Sequence, residues 1–217
     1  MSARTLAILL GVLVLAGAVV VTQGAAMPLP GDHSGFEPDQ PVFYSHQLHA
    51  GELQIPCLYC HYAAERGPRA GIPPEELCMN CHKFVSAPLA DVRAEDAAAK
   101  AEKREPRKVV SPEIRKLYEA LALDDKAQPV PGGVRKPDAW VRVHDLPDFV
   151  FFDHRSHVTA GVACETCHGP VQSMSRMRQQ ENLTMGWCVN CHRQMNATGL
   201  PDGRPAAAST DCTACHY

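Results

Sequence analysis

The sequence predicts a mostly irregular chain of short α-helices, wrapped around bulk that its own side chains do not supply and preceded by one N-terminal transmembrane helix. Three observations predict this. All ten cysteines fall into five Cys-x-x-Cys pairs, each followed at once by histidine. The 18 prolines and 15 glycines among 217 residues interrupt the chain too often for long helices or a large sheet. Aromatic residues are only 6%, and one N-terminal run holds much of the Leu and Val, so aliphatic packing alone is a weak source of core. The net charge of −3 excludes a strongly basic nucleic-acid binder.

The first element is the apolar run. Arg4 is the only charge before an unbroken small-and-aliphatic stretch from Leu6 to Val21. With Thr5 and Thr22 it spans about 18 residues, where a membrane helix needs roughly 17–25 and a signal h-region about 7–15. Gly24-Ala25-Ala26 offers the small residues of a cleavage site, but the length favours a retained anchor over residues 1–25. The lone Arg4 orients the N-terminus inward. That orientation puts the body on the periplasmic side of the inner membrane as a single-pass protein, where the cysteines meet an oxidising compartment.

The five motifs are Cys57-Leu-Tyr-Cys60-His61, Cys78-Met-Asn-Cys81-His82, Cys164-Glu-Thr-Cys167-His168, Cys188-Val-Asn-Cys191-His192 and Cys212-Thr-Ala-Cys215-His216. Two thiols one helical turn apart can add across the two vinyl groups of a haem, and the adjacent imidazole then lies against the iron. With 11 histidines in the chain, five chance placements after Cys-x-x-Cys have a probability on the order of 10⁻⁷, so this c-type haem signal is very specific. Structural zinc needs four ligands per site, into which five pairs divide poorly. Disulfides or iron–sulfur ligation would leave the five histidines unexplained. The expectation is five covalently attached haems c.

The opposite face of each iron decides between electron carrier and catalyst. Two His-x-x-His pairs precede haem motifs: His46 and His49, the latter eight residues before Cys57, and His154 and His157, the latter seven before Cys164. Aromatic residues stand just ahead of both. Histidines three apart on a helical turn can serve two different irons, so these four are the expected distal ligands of four haems. For the fifth, Met185 and His144 compete, with Met174 and Met177 as further thioethers. His33, in a Gly- and Pro-rich stretch, reads as solvated.

The organisation is an imperfect duplication. Residues 26–85 form a first haem module with two motifs, 86–142 a linker or helical insert, and 143–217 a second module with three. Within the insert, 86–110 is Ala-, Lys- and Glu-rich and reads as a solvated helix or flexible linker. Ser111-Pro112-Glu113 is a helix start, followed by an apolar stripe of Ile114, Leu117, Tyr118 and Leu121. Lys126 to Asp138 reads as Pro/Gly loop, and Trp140 to Phe152 as a short strand or extended segment. About 190 exported residues leave fewer than about 40 per haem. The fold expected is therefore a multihaem cytochrome c, of the class III/c7-like kind, packed around a file of porphyrins.

The chain resembles the pentahaem cytochrome subunit of alternative complex III, a bacterial quinol:electron-acceptor oxidoreductase. The resemblance rests on Phe43-Tyr-Ser-His46-Gln-Leu-His49-Ala-Gly-Glu-Leu-Gln-Ile-Pro-Cys57, Ala70-Gly-Ile-Pro-Pro and Cys78-Met-Asn-Cys81-His82. In the second half it rests on Trp140-Val-Arg-Val-His144-Asp-Leu-Pro-Asp-Phe-Val and Leu183-Thr-Met185-Gly-Trp187-Cys188. It implies an electron-transfer subunit with no substrate chemistry of its own. The implied partners are an iron–sulfur or molybdopterin-like subunit, an integral-membrane quinol subunit and a monohaem cytochrome. The implied acceptor is a terminal oxidase or soluble cytochrome. The alternative is a cytochrome partner of a membrane-anchored quinol dehydrogenase or molybdopterin oxidoreductase. A small-molecule reductase fits less well, because five uniform motifs offer no marked open iron.

Overall fold

Short helices joined by irregular chain carry every motif. The computed structural model describes residues 2–22 and 32–216, so the candidate cleavage site at Gly24-Ala25-Ala26 lies outside the described residues. The chain divides into two units, Met1–Asp32 and His33–Tyr217.

The first unit contains α1, Ala3–Thr22. It has no Pro within it, and the Ser2 hydroxyl accepts from the Thr5 amide at 3.3 Å, satisfying one of the donors that a helix start leaves open. Leu6, Ile8, Leu9, Leu10, Val12, Leu13, Val14 and Leu15 are each 50–71% exposed, so apolar side chains face outward all round the helix. The described side chains of α1 run from Arg4 to Gly17. Among the described residues, no helix is long and apolar enough to cross a membrane.

The second unit contains α2 (Cys57–Cys60), α3 (Glu75–His82), α4 (Leu89–Ala101), α5 (Pro112–Ala120), α6 (His154–Thr159), α7 (Glu165–His168) and α8 (Met185–Thr198). The 86–110 stretch is not a flexible linker throughout. It carries α4, whose Ala99 is buried and whose Glu95 clasps Arg104 and accepts from the Arg107 amide at 2.8 Å. At α5 the Ser111 hydroxyl accepts from the Ile114 amide, and Leu117, Tyr118 and Leu121 are buried, as the capping sequence and stripe require. Trp140 to Phe152 forms no strand. Val150 makes a single antiparallel bridge to His216, and Pro147 can donate nothing to a ladder. The segment is irregular, with a turn closed by the Val150 amide on the Pro147 carbonyl, and is held by side chains: Gln40 exchanges two bonds with Val141, and Gln179 accepts from the Asp145 amide.

The buried apolar set is small. Ala64, Ala99, Leu117, Tyr118, Ala120, Leu121, Val143 and Met174 fall below a tenth exposed, and most belong to the insert. Phe43, Phe149 and Phe151 beside the motifs are more than half exposed. Aliphatic burial therefore holds the insert together and contributes little around the motifs.

The two modules are joined by a reciprocal exchange. The π-helical turn Gln47–Glu52, which carries His49, packs on the 3₁₀ turn Val171–Ser173 that follows the third motif. There the Gln47 amide donates to the Met174 carbonyl at 2.9 Å. Reciprocally, α6 packs on the 3₁₀ turn Tyr62–Glu65 that follows the first motif. His154 Nδ1 bonds the Pro68 carbonyl at 2.7 Å there. Gly51 permits the first contact, because a Cβ at that position would lie 2.3 Å from the Gln172 carbonyl oxygen.

Candidate haem sites

Each motif occupies about one turn of helix, which brings its two thiols to one side with the histidine at the turn's end. The motifs lie on α2, at the end of α3, on α7 with Cys164 just ahead of it, in the first half of α8, and on the 3₁₀ turn Cys212–Ala214. All ten cysteines stand as separate thiols.

The structure brings each of four motif histidines against one His-x-x-His ring. Ring centres are 6.4 Å apart for His46 and His61, 6.1 Å for His49 and His82, 6.2 Å for His154 and His168, and 6.0 Å for His157 and His192. With metal–nitrogen bonds of about 2 Å and about 1.1 Å from ring nitrogen to ring centre, two imidazoles on opposite sides of one ion stand about 6.2 Å apart. The observed spacings match this. Direct stacking would bring ring centres closer, as in the 4.3 Å contact of Tyr44 with His49.

The ring orientations fit as well. His61 Nδ1 bonds the Gly71 carbonyl (2.7 Å), His82 that of Val85 (2.8 Å) and His192 that of Ser209 (2.5 Å). On the distal side His49 bonds the Ser45 carbonyl, His154 that of Pro68 and His157 that of Asp153. Using Nδ1 as donor fixes the tautomer and leaves Nε2 as the lone-pair nitrogen. His46 is the exception: its Nδ1 is buried with no hydrogen-bond partner. Burial first, then the His61, His49 and His168 rings, pushes His46 down to about 4. Burial first, then His144, His154 and His61, does the same for His168. Both rings are therefore neutral near pH 7, the form a metal requires.

One aromatic orients each distal pair. Tyr44 stacks on His49 and meets His46 edge-on at 4.9 Å. Phe152 packs on His157 at 4.6 Å and meets His154 edge-on at 4.8 Å. Each aromatic stands two residues before its first histidine, so the duplication extends to side-chain packing.

Neighbouring thiols give the order of the motifs. Burial and then the neighbouring thiols Cys57 and Cys81 raise Cys60, and burial followed by Cys60 pushes Cys78 up to about 11, linking the first motif to the second. Burial and then the Cys57 thiol raise Cys164, linking the third motif to the first. Cys167 feels Cys191 and Cys188, and Cys188 feels Cys215. The thiols thus neighbour one another from second motif to first, first to third, third to fourth and fourth to fifth.

The fifth motif differs from the others. Phe149 lies 5.8 Å from the His216 ring, and the Phe151 amide donates to the Cys215 carbonyl at 2.8 Å. Met185 is 70% exposed at the head of α8, one turn before Cys188, the thiol that neighbours Cys215. His144 is elsewhere: its Nε2 lies 3.1 Å from His168 Nδ1. Met174 is buried and its carbonyl accepts from the Gln47 amide, a packing role. His33 is about two-fifths exposed and faces Asp145 at 3.8 Å.

Five supporting residues take roles that the sequence does not signal. Tyr118, 1% exposed, donates its hydroxyl to the His82 carbonyl at 2.7 Å. Lys108 donates to the Lys83 carbonyl, Arg135 pairs with Glu76, and the Asp138 amide donates to Glu75 at 3.0 Å. The insert thus grips α3 at both ends. Gln179, fully buried, accepts from the Asp145 amide and donates to the Glu181 carbonyl, while its backbone pairs with Gly35 and Phe36. All these partners are distant in sequence or lie in irregular chain, where no periodicity marks them.

Residues 150–217 match the family described as cytochrome c7 and related cytochrome c. The chain is also 24% identical over 198 residues to the multiheme cytochrome c subunit of menaquinone reductase from Nitratidesulfovibrio vulgaris, a match covering 82% of this chain and 77% of that relative. The chain is thus similar to multihaem c-type cytochromes, over residues 150–217 to the cytochrome c7 family and over most of its length to the menaquinone reductase subunit.

Proposed function

We propose that the chain is a membrane-anchored pentahaem electron wire in a respiratory complex that exchanges electrons with the quinone pool, of the alternative complex III kind. The observation that carries this reading is the set of four histidine pairs at the separation that one shared iron requires. The five cysteine pairs would hold haem c through thioethers. His61, His82, His168, His192 and His216 would be the proximal ligands, and His46, His49, His154 and His157 the distal ligands of the first four motifs. Bound there, haem c supplies reversible one-electron exchange. The chain's own part would be to present these rings through their Nε2 atoms as ligands, leaving no position for a small substrate. The reading is a transfer subunit, without catalytic residues of its own.

Met185 is the sixth ligand proposed for the fifth haem. It lies one turn before Cys188, whose thiol neighbours that of Cys215, whereas His144 is engaged by His168. The neighbour relations of the thiols support a single file with the second and fifth motifs at its ends. Helix α1 is the proposed single-pass anchor on the basis of the sequence, whose unbroken apolar run from Leu6 to Val21 follows the lone Arg4. The haem-bearing part would lie on the periplasmic side of the inner membrane. Its partners there would be an iron–sulfur or molybdopterin-like subunit, an integral-membrane quinol subunit and a monohaem cytochrome. Electrons would pass on to a terminal oxidase or soluble cytochrome. A second reading runs the same wire toward quinone, and the name of the menaquinone reductase relative favours it.

Purification of the chain from native membrane tests the proposal. The expected mass is the polypeptide plus five haems, with no alkylatable thiol, low-spin spectra and no carbon monoxide adduct. Quinone-reactive subunits should accompany it, and Met185→Ala should open one haem to carbon monoxide. A bare polypeptide mass, or free thiols, would overturn it. Adding quinol or quinone to the purified complex and following haem reduction or oxidation distinguishes the two directions.

A further inference from the structure

Among the axial histidines whose Nδ1 makes a hydrogen bond, His168 is unlike the others. His49, His61, His82, His154, His157 and His192 all bond backbone carbonyls. His168 Nδ1 instead faces a side chain, His144 Nε2, at 3.1 Å, with the two rings edge to face at 4.3 Å and 75°. The bond requires His144 to carry its proton on its own Nδ1, so that Nε2 accepts.

His144 is well placed to hold this acceptor still. Val143 before it is buried, and the Asp145 amide after it is tied to the fully buried Gln179. Arg142 Nε donates to the His144 carbonyl at 2.9 Å. The thiols of the third motif neighbour those of the first and of the fourth.

We propose that His144 is a positioning residue for the third haem: by accepting from His168 Nδ1 it fixes that ligand's tautomer and orientation and lowers the potential of that haem alone. An imidazole whose Nδ1 proton is drawn toward a strong acceptor donates more electron density through Nε2, which stabilises the oxidised metal. A carbonyl acceptor is fixed by the backbone, whereas this one can be changed by a single substitution. The inference rests on the haem-wire reading above.

The test is a spectroelectrochemical titration of the purified full-length holoprotein, comparing wild type with His144→Leu and His144→Gln. In His144→Leu one of the five midpoint potentials should rise, the other four should stay in place, and every haem should remain low-spin without a carbon monoxide adduct. In His144→Gln the amide oxygen can still accept, so the same haem should shift less. Unchanged potentials in both variants would overturn the proposal. So would a new high-spin or carbon monoxide-binding haem, since that would make His144 an axial ligand. If His144→Leu does not mature, His144→Gln decides alone: a shift confined to one haem supports the proposal, and none refutes it. Failure of the underlying wire reading would appear earlier, in the wild type, as a haem count other than five or an open iron before any substitution.

Discussion

Single atoms decide how well a haem-binding turn is held, and Tyr118 is the clearest case outside the ligands. Its ring is buried in the insert while its hydroxyl reaches the His82 carbonyl, the last residue of α3. Helix ends leave carbonyls without intrahelical partners, so Tyr118 satisfies a group that would otherwise be stranded in a dry place. Tyr118→Phe keeps the ring and removes only the bond. The expected loss is about 1–2 kcal/mol, read as a lowered denaturant midpoint with an unchanged slope. An unchanged midpoint would mean that water or Lys108, 3.4 Å from the Tyr118 hydroxyl, replaces the bond.

At the level of elements, the contact between the turn Gln47–Glu52 and the turn Val171–Ser173 depends on the missing side chain at Gly51. The obstructing atom is a backbone oxygen, which cannot rotate away as a side chain could. Gly51→Ala should therefore push the two turns apart and destabilise the protein by about 1–3 kcal/mol, seen as a lower thermal midpoint. Gly67 is a control: a Cβ there meets nothing within 4 Å, so Gly67→Ala should be close to neutral. Equal effects at both glycines would remove the steric explanation. Element legibility followed local rules. The Ser111 cap and the stripe through Leu117, Tyr118 and Leu121 are written in neighbouring residues, and α5 forms where they indicate. Trp140 to Phe152 shows strand-like alternation, but a strand needs a partner edge, which alternation within one segment cannot specify.

For the molecule as a whole, the motifs could be read because thioether chemistry imposes a fixed spacing on cysteine and histidine. The His-x-x-His pairs could be picked out because the same spacing and the same preceding aromatic recur in both halves. Which motif each ring faces was not readable. His46 meets His61 from fifteen residues away and His157 meets His192 from thirty-five, distances set by how irregular chain folds back. The role of residues 86–142 was equally hidden, since their grip on α3 runs through isolated bonds from Lys108, Tyr118, Arg135 and Asp138. The reciprocal packing of the modules leads to a prediction at this scale. Residues 1–142 and 143–217 exported as separate chains should each lose haem, while co-expression of the two should restore it, as followed by haem staining after denaturing electrophoresis. Full haem content in either fragment alone would refute the interdependence.

That mutual bracing also constrains where the chain can change in length. A change of length at Gly51 or near Pro68 in one module would displace the turn of the other module that leans on it. The stretch between them is tied to α3 through Lys108, Tyr118, Arg135 and Asp138, so added length would be tolerated best away from those four residues.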